Sequence, residues 1–403
     1  MEKFYLKHNV PAAVLKGHPW AFAGEIEPRR RRPDDGEGVE LCDSRGHSLG
    51  SGIWSNHSQI AWRRYSRAVR PFDDAFVNWA LGASLARRDK GSFRRLAWSE
   101  ADHLPGLVID QFGDILVVQA LTAGADRALH CVCNWLRKNL SPREIVLRND
   151  APVRTREKLQ LYVRTESGNP LPPDWVNIEG VDYHLDFLGG QKNGFYLDQR
   201  EQHLRVARFA AGKRVLDAFC NQGGFGLQAA RAGAASVLGL DSSEECVNAA
   251  RRNAERNKMA STTHFLRANV FDWFTENRPF REPADGPLEA APAPARNAPV
   301  FDLIILDPPP FARNRDSMDG ALRGYKELNL RAMRLLAPGG ILATYSCSQR
   351  VGIETFLGML SDAASDAHRD ARLIELATQP PDHPTLLTFP ESHYLKGAIL
   401  RME

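Results

Sequence analysis

Four short stretches from residue 189 onward carry residue types that could do chemistry together. The first is Val215-Leu-Asp-Ala-Phe-Cys-Asn-Gln-Gly-Gly-Phe-Gly226, an apolar run that ends in Asp217 and gives way to a glycine-rich turn. Glycines let a backbone approach a ligand closely, and the free N–H groups at the start of the following helix face it. The spacing is not G-x-G-x-x-G, so a dinucleotide pyrophosphate cradle is excluded. An acid at the end of the first strand suits a cofactor with an ammonium group. A second acid, Asp241, closes the next apolar run twenty-four positions later, where a carboxylate accepts both hydroxyls of a ribose. Together they point to S-adenosylmethionine.

The second stretch is Phe301-Asp-Leu-Ile-Ile-Leu-Asp-Pro-Pro-Pro-Phe311. An isolated Asp307 at the end of a buried strand, followed by prolines, projects a rigid carboxylate into the crevice above a sheet. Asp307-Pro308-Pro309 followed by Phe311 resembles methyltransferases that act on planar nitrogenous rings, where the acid bonds the ring and the aromatic packs on it. The third stretch, Leu342-Ala-Thr-Tyr-Ser-Cys-Ser348, sets Cys347 just past a strand end, on the same edge as Asp307. Methylating carbon 5 of a pyrimidine requires a nucleophile on carbon 6, and a thiolate is the suitable side chain. Cys42, Cys131, Cys133, Cys220 and Cys246 lack such a setting and read as structural. The fourth stretch, Gly189-Gly-Gln-Lys-Asn-Gly-Phe-Tyr-Leu-Asp-Gln-Arg200, crowds polar and aromatic residues ahead of a helix. It is expected to fold over the methionine end of the cofactor with Phe195 and Tyr196 exposed. Tyr196 and Arg200 would then be cofactor contacts, Arg200 for a carboxylate, and Lys192 a substrate contact.

Such residues need a parallel sheet to bring them to one edge. From about residue 178 apolar strands alternate with amphipathic helices, the pattern of a parallel α/β sheet. Strands are expected at Arg214–Ala218, Ser236–Asp241, Thr263–Ala268, Phe301–Asp307 and Gly340–Ser346, with later ones near Arg372–Ala377 and Gly397–Arg401. Residues 279–300, rich in Pro and Ala, read as a mobile insertion. Upstream, Phe22–Ile26, Val39–Cys42, Leu49–Ile53 and Gln59–Arg64 are short strands suited to a small β-barrel. Residues 72–90 have helical spacing with Phe76, Trp79, Ala80 and Ala83 on one face, and a strand–strand–helix–strand unit follows to Arg148. The expected division is 1–70, 71–177 and 178–403.

Composition narrows the class. The 403 residues are 43% hydrophobic and 25% charged, which is globular. No apolar run approaches the ~18 residues of a membrane span, and the start lacks a secretory signal. Six irregularly spaced cysteines fit neither a disulfide framework nor a zinc site, so no metal and a cytoplasmic setting are expected. The net charge is +3, yet residues 1–100 hold 17 Lys+Arg against 12 Asp+Glu, a basic end that suits a polyanion partner.

The chain resembles the bacterial ribosomal RNA large-subunit methyltransferases of the I type, which make 5-methylcytidine in 23S ribosomal RNA. His18-Pro-Trp-Ala-Phe-Ala-Gly24 and Gly50-Ser-Gly-Ile-Trp-Ser-Asn-His-Ser-Gln-Ile60 look like that family's PUA module. Leu104-Pro-Gly-Leu-Val-Ile-Asp-Gln-Phe-Gly113 and Arg148-Asn-Asp150 look like its central α+β domain. Gln191–Arg200, Arg323-Gly-Tyr-Lys326, Ser346-Cys-Ser348 and Tyr394-Leu-Lys-Gly397 look like its Rossmann-like catalytic domain.

The resemblance implies Cys347 as nucleophile and Asp307 as the acid that bonds the cytosine and favours protonation at ring nitrogen 3. It implies cofactor contacts at Asp217, Phe219, Asn221, Gly223, Gly224, Asp241, Ser242, Asn269 and Val270, with Asp307 beside them. Pro308, Pro309 and Phe311 would meet the substrate, and Arg63, Arg64 and Arg67 the RNA phosphates. A homodimer is a further implication. Two positions depart from the family: Pro310 replaces a Lys, removing a charge near the target ring, and Asn269 replaces an Asp. No second cysteine occurs at 307–311, so product release would use another base or water. Methylation of an exocyclic amine, or RNA binding without catalysis, remain the alternatives.

Overall fold

Alternating apolar and polar residues between Lys3 and Ser66 form five strands: β1 (Lys3–Tyr5), β2 (Trp20–Phe22), β3 (Gly38–Cys42), β4 (Ser48–Trp54) and β5 (Ile60–Ser66). Their order in the sheet is β1-β3-β4-β5-β2. Beyond β2 the chain returns to β1, where Leu6 bridges Ile26, so the two edges meet around Phe4, Val39, Leu41 and Trp62. The strand expected at Phe22–Ile26 ends early. Glu25 accepts the Phe22 N–H at 2.8 Å and turns residues 23–25 into a 3-10 helix. The structure, a computed structural model, describes residues 1–10, 12–30, 32–190, 194–277, 300–311 and 318–403. Lys192 and nearly all of the 279–300 insertion lie outside the described residues.

A second sheet follows, ordered β10-β9-β8-β7-β6, from β6 (Phe93–Trp98), β7 (Leu107–Phe112), β8 (Ile115–Ala120), β9 (Glu144–Asn149) and β10 (Tyr162–Thr165). Helices α1 (Asp74–Ala86), α2 (Ala123–Arg127) and α3 (Leu129–Leu140) accompany it, and Phe76, Leu81, Ile109, Val118 and Leu136 share its core. The Asp73 side chain caps α1 by accepting the Phe76 N–H. Trp79, expected on the buried face, is instead 49% exposed, with the Arg70 guanidinium 5.1 Å from its ring. A hairpin of β11 (Asp174–Ile178) and β12 (Val181–Leu185) comes next.

The third sheet has seven strands: β13 (Arg214–Ala218), β14 (Ser236–Asp241), β15 (Thr263–Arg267), β16 (Phe301–Leu306), β17 (Leu336–Ser346), β18 (Ala371–Thr378) and β19 (Lys396–Met402). Their order is β15-β14-β13-β16-β17-β19-β18, so the chain reverses direction across the sheet between β13 and β16. Helices α4 (Arg200–Ala207), α5 (Gly224–Arg231), α6 (Glu244–Arg256), α7 (Val270–Glu276), α8 (Met318–Leu335) and α9 (Ile353–Asp366) connect the strands. Side chains alternate between two cores. Leu216, Ile304, Leu306, Leu342 and Leu400 pack with Phe274, Leu328 and Phe356 of α7, α8 and α9. Val215, Leu303, Ile305, Ala343 and Ile399 pack with Val206 and Phe225 of α4 and α5. The first five strands in space are parallel, as expected. β19 departs from that pattern and runs antiparallel to both neighbours. No α-helix separates it from β18, and a parallel partner needs a crossover element.

The described residues fall into two compact units. One comprises Met1–Val176, Leu185–Leu197 and Pro380–His393, the other Asn177–His184, Asp198–Gln379 and Tyr394–Glu403. No helix among them is long and apolar enough to cross a membrane.

Candidate active site

In an open α/β sheet ligands bind beyond the carboxyl ends of the strands, at the point where strand order reverses. Asp217 and Asp307 stand there, near the end of β13 and just past the end of its neighbour β16. Asp241 ends β14 on one side and Cys347 follows β17 on the other.

The loop after β13 is held in an unusual shape. Phe219 has φ +70°, Asn221 +48° and Gly223 +88°. A bulky residue such as Phe in the left-handed region is strained, and such strain concentrates at functional loops. Asp241 fixes the loop through both oxygens, which accept the N–H groups of Asn221 and Ser243 at 2.9 Å. Each oxygen keeps one lone pair for a ribose hydroxyl. At Gly224 a Cβ would meet His203 at 2.6 Å, so only glycine brings the start of α5 this close.

Asp217 is 1% exposed; Oδ2 accepts the Gly226 N–H at 2.8 Å and Oδ1 has no partner among the described residues. Burial above all, with the Asp307 and Asp241 carboxylates acting in the same direction and the Gly226 hydrogen bond against them, pushes its carboxyl up to about 7. A buried acid with an orphan oxygen and two acidic neighbours fits a cationic ligand. S-adenosylmethionine brings an ammonium and a sulfonium, and the residues present fit it.

Other expected contacts divide. Ser242 is exposed beside Asp241, whereas the Val270 side chain lies in the core with Phe274. The Asn269 oxygen caps α7, accepting the N–H groups of Phe271 at 2.9 Å and Asp272 at 3.4 Å. Its reach to an adenine amine therefore competes with the cap. Arg200, at the start of α4, already pairs with Glu179 at 2.8 Å. Phe195 is buried rather than exposed, because its ring is part of the core; Tyr196 is half-buried.

Past β16, Pro308 is buried, Pro309 exposed, and the Phe311 ring packs on Tyr325 of α8 at 4.7 Å. Cys347 lies with Sγ 3.9 Å from the Pro308 carbonyl oxygen, which brings it beside the residue that follows Asp307. Among the six cysteines Cys347 alone is not buried. Burial pushes the Cys42, Cys131, Cys133, Cys220 and Cys246 thiols up, away from the reactive thiolate, Cys131 to about 11.

Sequence reasoning gave Lys396 no role. It is 1% exposed, and Nζ donates to the Ser348 carbonyl, next to Cys347, at 2.7 Å. The signal was a lysine at the start of the strand Lys396–Met402, directly ahead of the apolar run Gly397–Leu400.

In the other unit, the expected RNA contacts Arg63 and Arg64 turn inward. Arg63 pairs with the buried Glu100 at 2.8 Å, with its guanidinium over the Trp20 ring. Arg64 donates to the Gly17 carbonyl, and burial pushes it down to about 10. Both serve the interior because Glu100 and the Gly17 carbonyl need donors there; Arg67 is exposed.

Known proteins resemble this chain in sequence and fold. A model of the PUA-like domain matches residues 4–67, and a model of an S-adenosylmethionine-dependent methyltransferase matches 153–390. The ribosomal RNA large subunit methyltransferase I of Tolumonas auensis is 38% identical over 408 residues, covering 98% of each chain. That of Aeromonas hydrophila is 39% identical over 413 residues, again 98% of each. Among solved structures, a candidate SAM-dependent methyltransferase from Streptococcus mutans superposes over the whole of both chains with a TM-score of 0.80 at 18% identity. A candidate methyltransferase complexed with SAH does so at 0.79, also at 18% identity.

Proposed function

This chain belongs to the ribosomal RNA large subunit methyltransferase I family, and from that premise we propose that it makes 5-methylcytidine in 23S ribosomal RNA by covalent cysteine catalysis. It is an S-adenosylmethionine-dependent methyltransferase of large-subunit ribosomal RNA. The observation that carries the finer reading is the pairing of an accessible Cys347 with Asp307 at the ends of neighbouring strands, its sulfur 3.9 Å from the Pro308 carbonyl.

Asp217 would hold the cofactor's ammonium and Asp241 its ribose, with the strained loop at Phe219 to Gly224 against it. When bound, the cofactor supplies an electrophilic methyl group at this crevice. The chain's own residues do the rest. Asp307 holds the cytosine ring and favours protonation at nitrogen 3, which makes carbon 6 electrophilic. The Cys347 thiolate adds to carbon 6, leaving an enamine that is nucleophilic at carbon 5. Loss of the carbon 5 proton after methylation expels Cys347. The target must leave its stack or sit in a loop to reach these groups.

The same reading gives RNA capture to residues 1–70, with Arg67 as the exposed basic candidate, and catalysis to 178–403, with 71–177 as a separate central domain. The enzyme would work in the cytoplasm, as a homodimer.

Its test is the fate of the methyl group. Labelled S-adenosylmethionine and unmodified 23S RNA are expected to place label in 5-methylcytidine on digestion. Label in a methylated purine would instead favour exocyclic-amine transfer and reduce Cys347 to a packing residue.

A further inference from the structure

The turn that carries Cys347 is held from two sides. On β19, Lys396 pairs in register with Ser346, and its side chain passes to the Ser348 carbonyl at 2.7 Å. On α8, the Tyr325 hydroxyl bonds the Ser348 Oγ at 2.9 Å. Cys347 is therefore bracketed by two fixed serines.

Hydrogen bonding alone does not account for a lysine here. Its ammonium is buried, and among the described residues no carboxylate pairs with it. A buried ammonium without a counter-charge is costly, and one carbonyl bond offsets only part of the loss. The adjacent Cys347 thiol is a group whose ionisation would supply a negative charge. The sulfur for its part faces the Pro308 carbonyl oxygen at 3.9 Å, which disfavours a thiolate. A cation held at the carbonyl of the next residue offsets that field.

We propose that Lys396 is a positioning residue that orients the Cys347 turn and supplies the positive charge keeping the sulfur ionised for attack. The inference deepens the reading of Cys347 as nucleophile and rests on it. The electrostatics agree in direction. Burial pushes the Lys396 ammonium down to about 8, and interaction with Cys347 pushes it back up, so each charged form stabilises the other. Tyr325 is no rival for the charge, since burial pushes its phenol up.

The experiment needs no RNA. Cys347 alkylation by iodoacetamide is followed at pH 7.5 by mass spectrometry of the peptide that contains it, in the full chain. Lys396→Gln keeps a donor for the Ser348 carbonyl and removes the charge, while Lys396→Arg keeps both. The Gln variant is expected to alkylate about tenfold more slowly and the Arg variant within about threefold of the parent, with cofactor binding intact in both. A parental rate in the Gln variant overturns the proposal. Equal slowing in both variants also overturns it, because the effect then follows side-chain shape rather than charge. Failure of the nucleophile reading has a different signature, Cys347→Ala retaining methyl transfer, which leaves the alkylation result standing.

Discussion

Replacing Cys347 by alanine is expected to lower single-turnover methyl transfer to ribosomal RNA by roughly 10⁴-fold or more, while cofactor affinity stays within about threefold. The asymmetry follows from position. Cys347 stands past β17, opposite the Asp307 turn, whereas the groups that would hold the cofactor line β13 and β14. Without the thiolate no enamine forms at carbon 5, and an aromatic carbon is a poor nucleophile for a methyl group. Truncation at a half-exposed position leaves no large cavity, so folding should be spared. Rapid-quench transfer and calorimetric titration with S-adenosylmethionine read the two quantities separately. Near-parental turnover would move the chemistry to Asp307 and an exocyclic amine.

Asp217→Asn is expected to weaken cofactor binding about 10²- to 10³-fold at pH 8, the loss typical of removing one partner from a buried charge pair. The pH dependence has a definite sign. Without ligand the Asp217 carboxyl is pushed up to about 7, mainly by burial, so near pH 6 it is largely protonated and cannot pair with an ammonium as a charge. Cofactor affinity should therefore rise through pH 7 and level off above it, with proton release on binding at pH 6, seen as buffer-dependent heat. The ligand-free fold shows the converse. A folded pKa above the unfolded value contributes stability that is complete below about 4 and lost as pH rises through 7. The Asn variant escapes that loss, and its thermal midpoint without cofactor should exceed the parent's at pH 8. A parental affinity for the Asn variant at pH 8 would remove Asp217 from the cofactor site.

What was legible in the sequence shares one physical origin. Buried parallel strands are apolar throughout, so acids at their ends stand out: Asp217 near the end of β13, Asp241 at the end of β14 and Asp307 just past β16, where a crevice must form. β6 went unread because Arg94 and Arg95 sit in its middle. Their charges are answered across the ladder by Gln111 and Asp110, partners that only the folded register reveals. The inward engagement of Arg63 is hidden for the same reason, since the buried Glu100 that pairs with it is not adjacent in sequence. Asn269 shows a local competition: the residue placed to meet a base also caps a helix that periodicity had not marked. Lys396 falls within the Tyr394-Leu-Lys-Gly397 motif. Its significance lies in burial and in the neighbouring Ser348 carbonyl, neither of which spacing encodes.

The most direct measurement of covalent cytosine catalysis uses 23S RNA transcribed with 5-fluorocytidine in place of cytidine. Fluorine at carbon 5 cannot leave as a proton does, so a sulfur bonded to carbon 6 stays there after methyl transfer. With labelled S-adenosylmethionine, the expected result is labelled RNA that migrates with the protein on a denaturing gel, a band that Cys347→Ala does not form. Methylated RNA with no protein-bound fraction, from the same substrate and at a normal rate, would contradict the covalent mechanism.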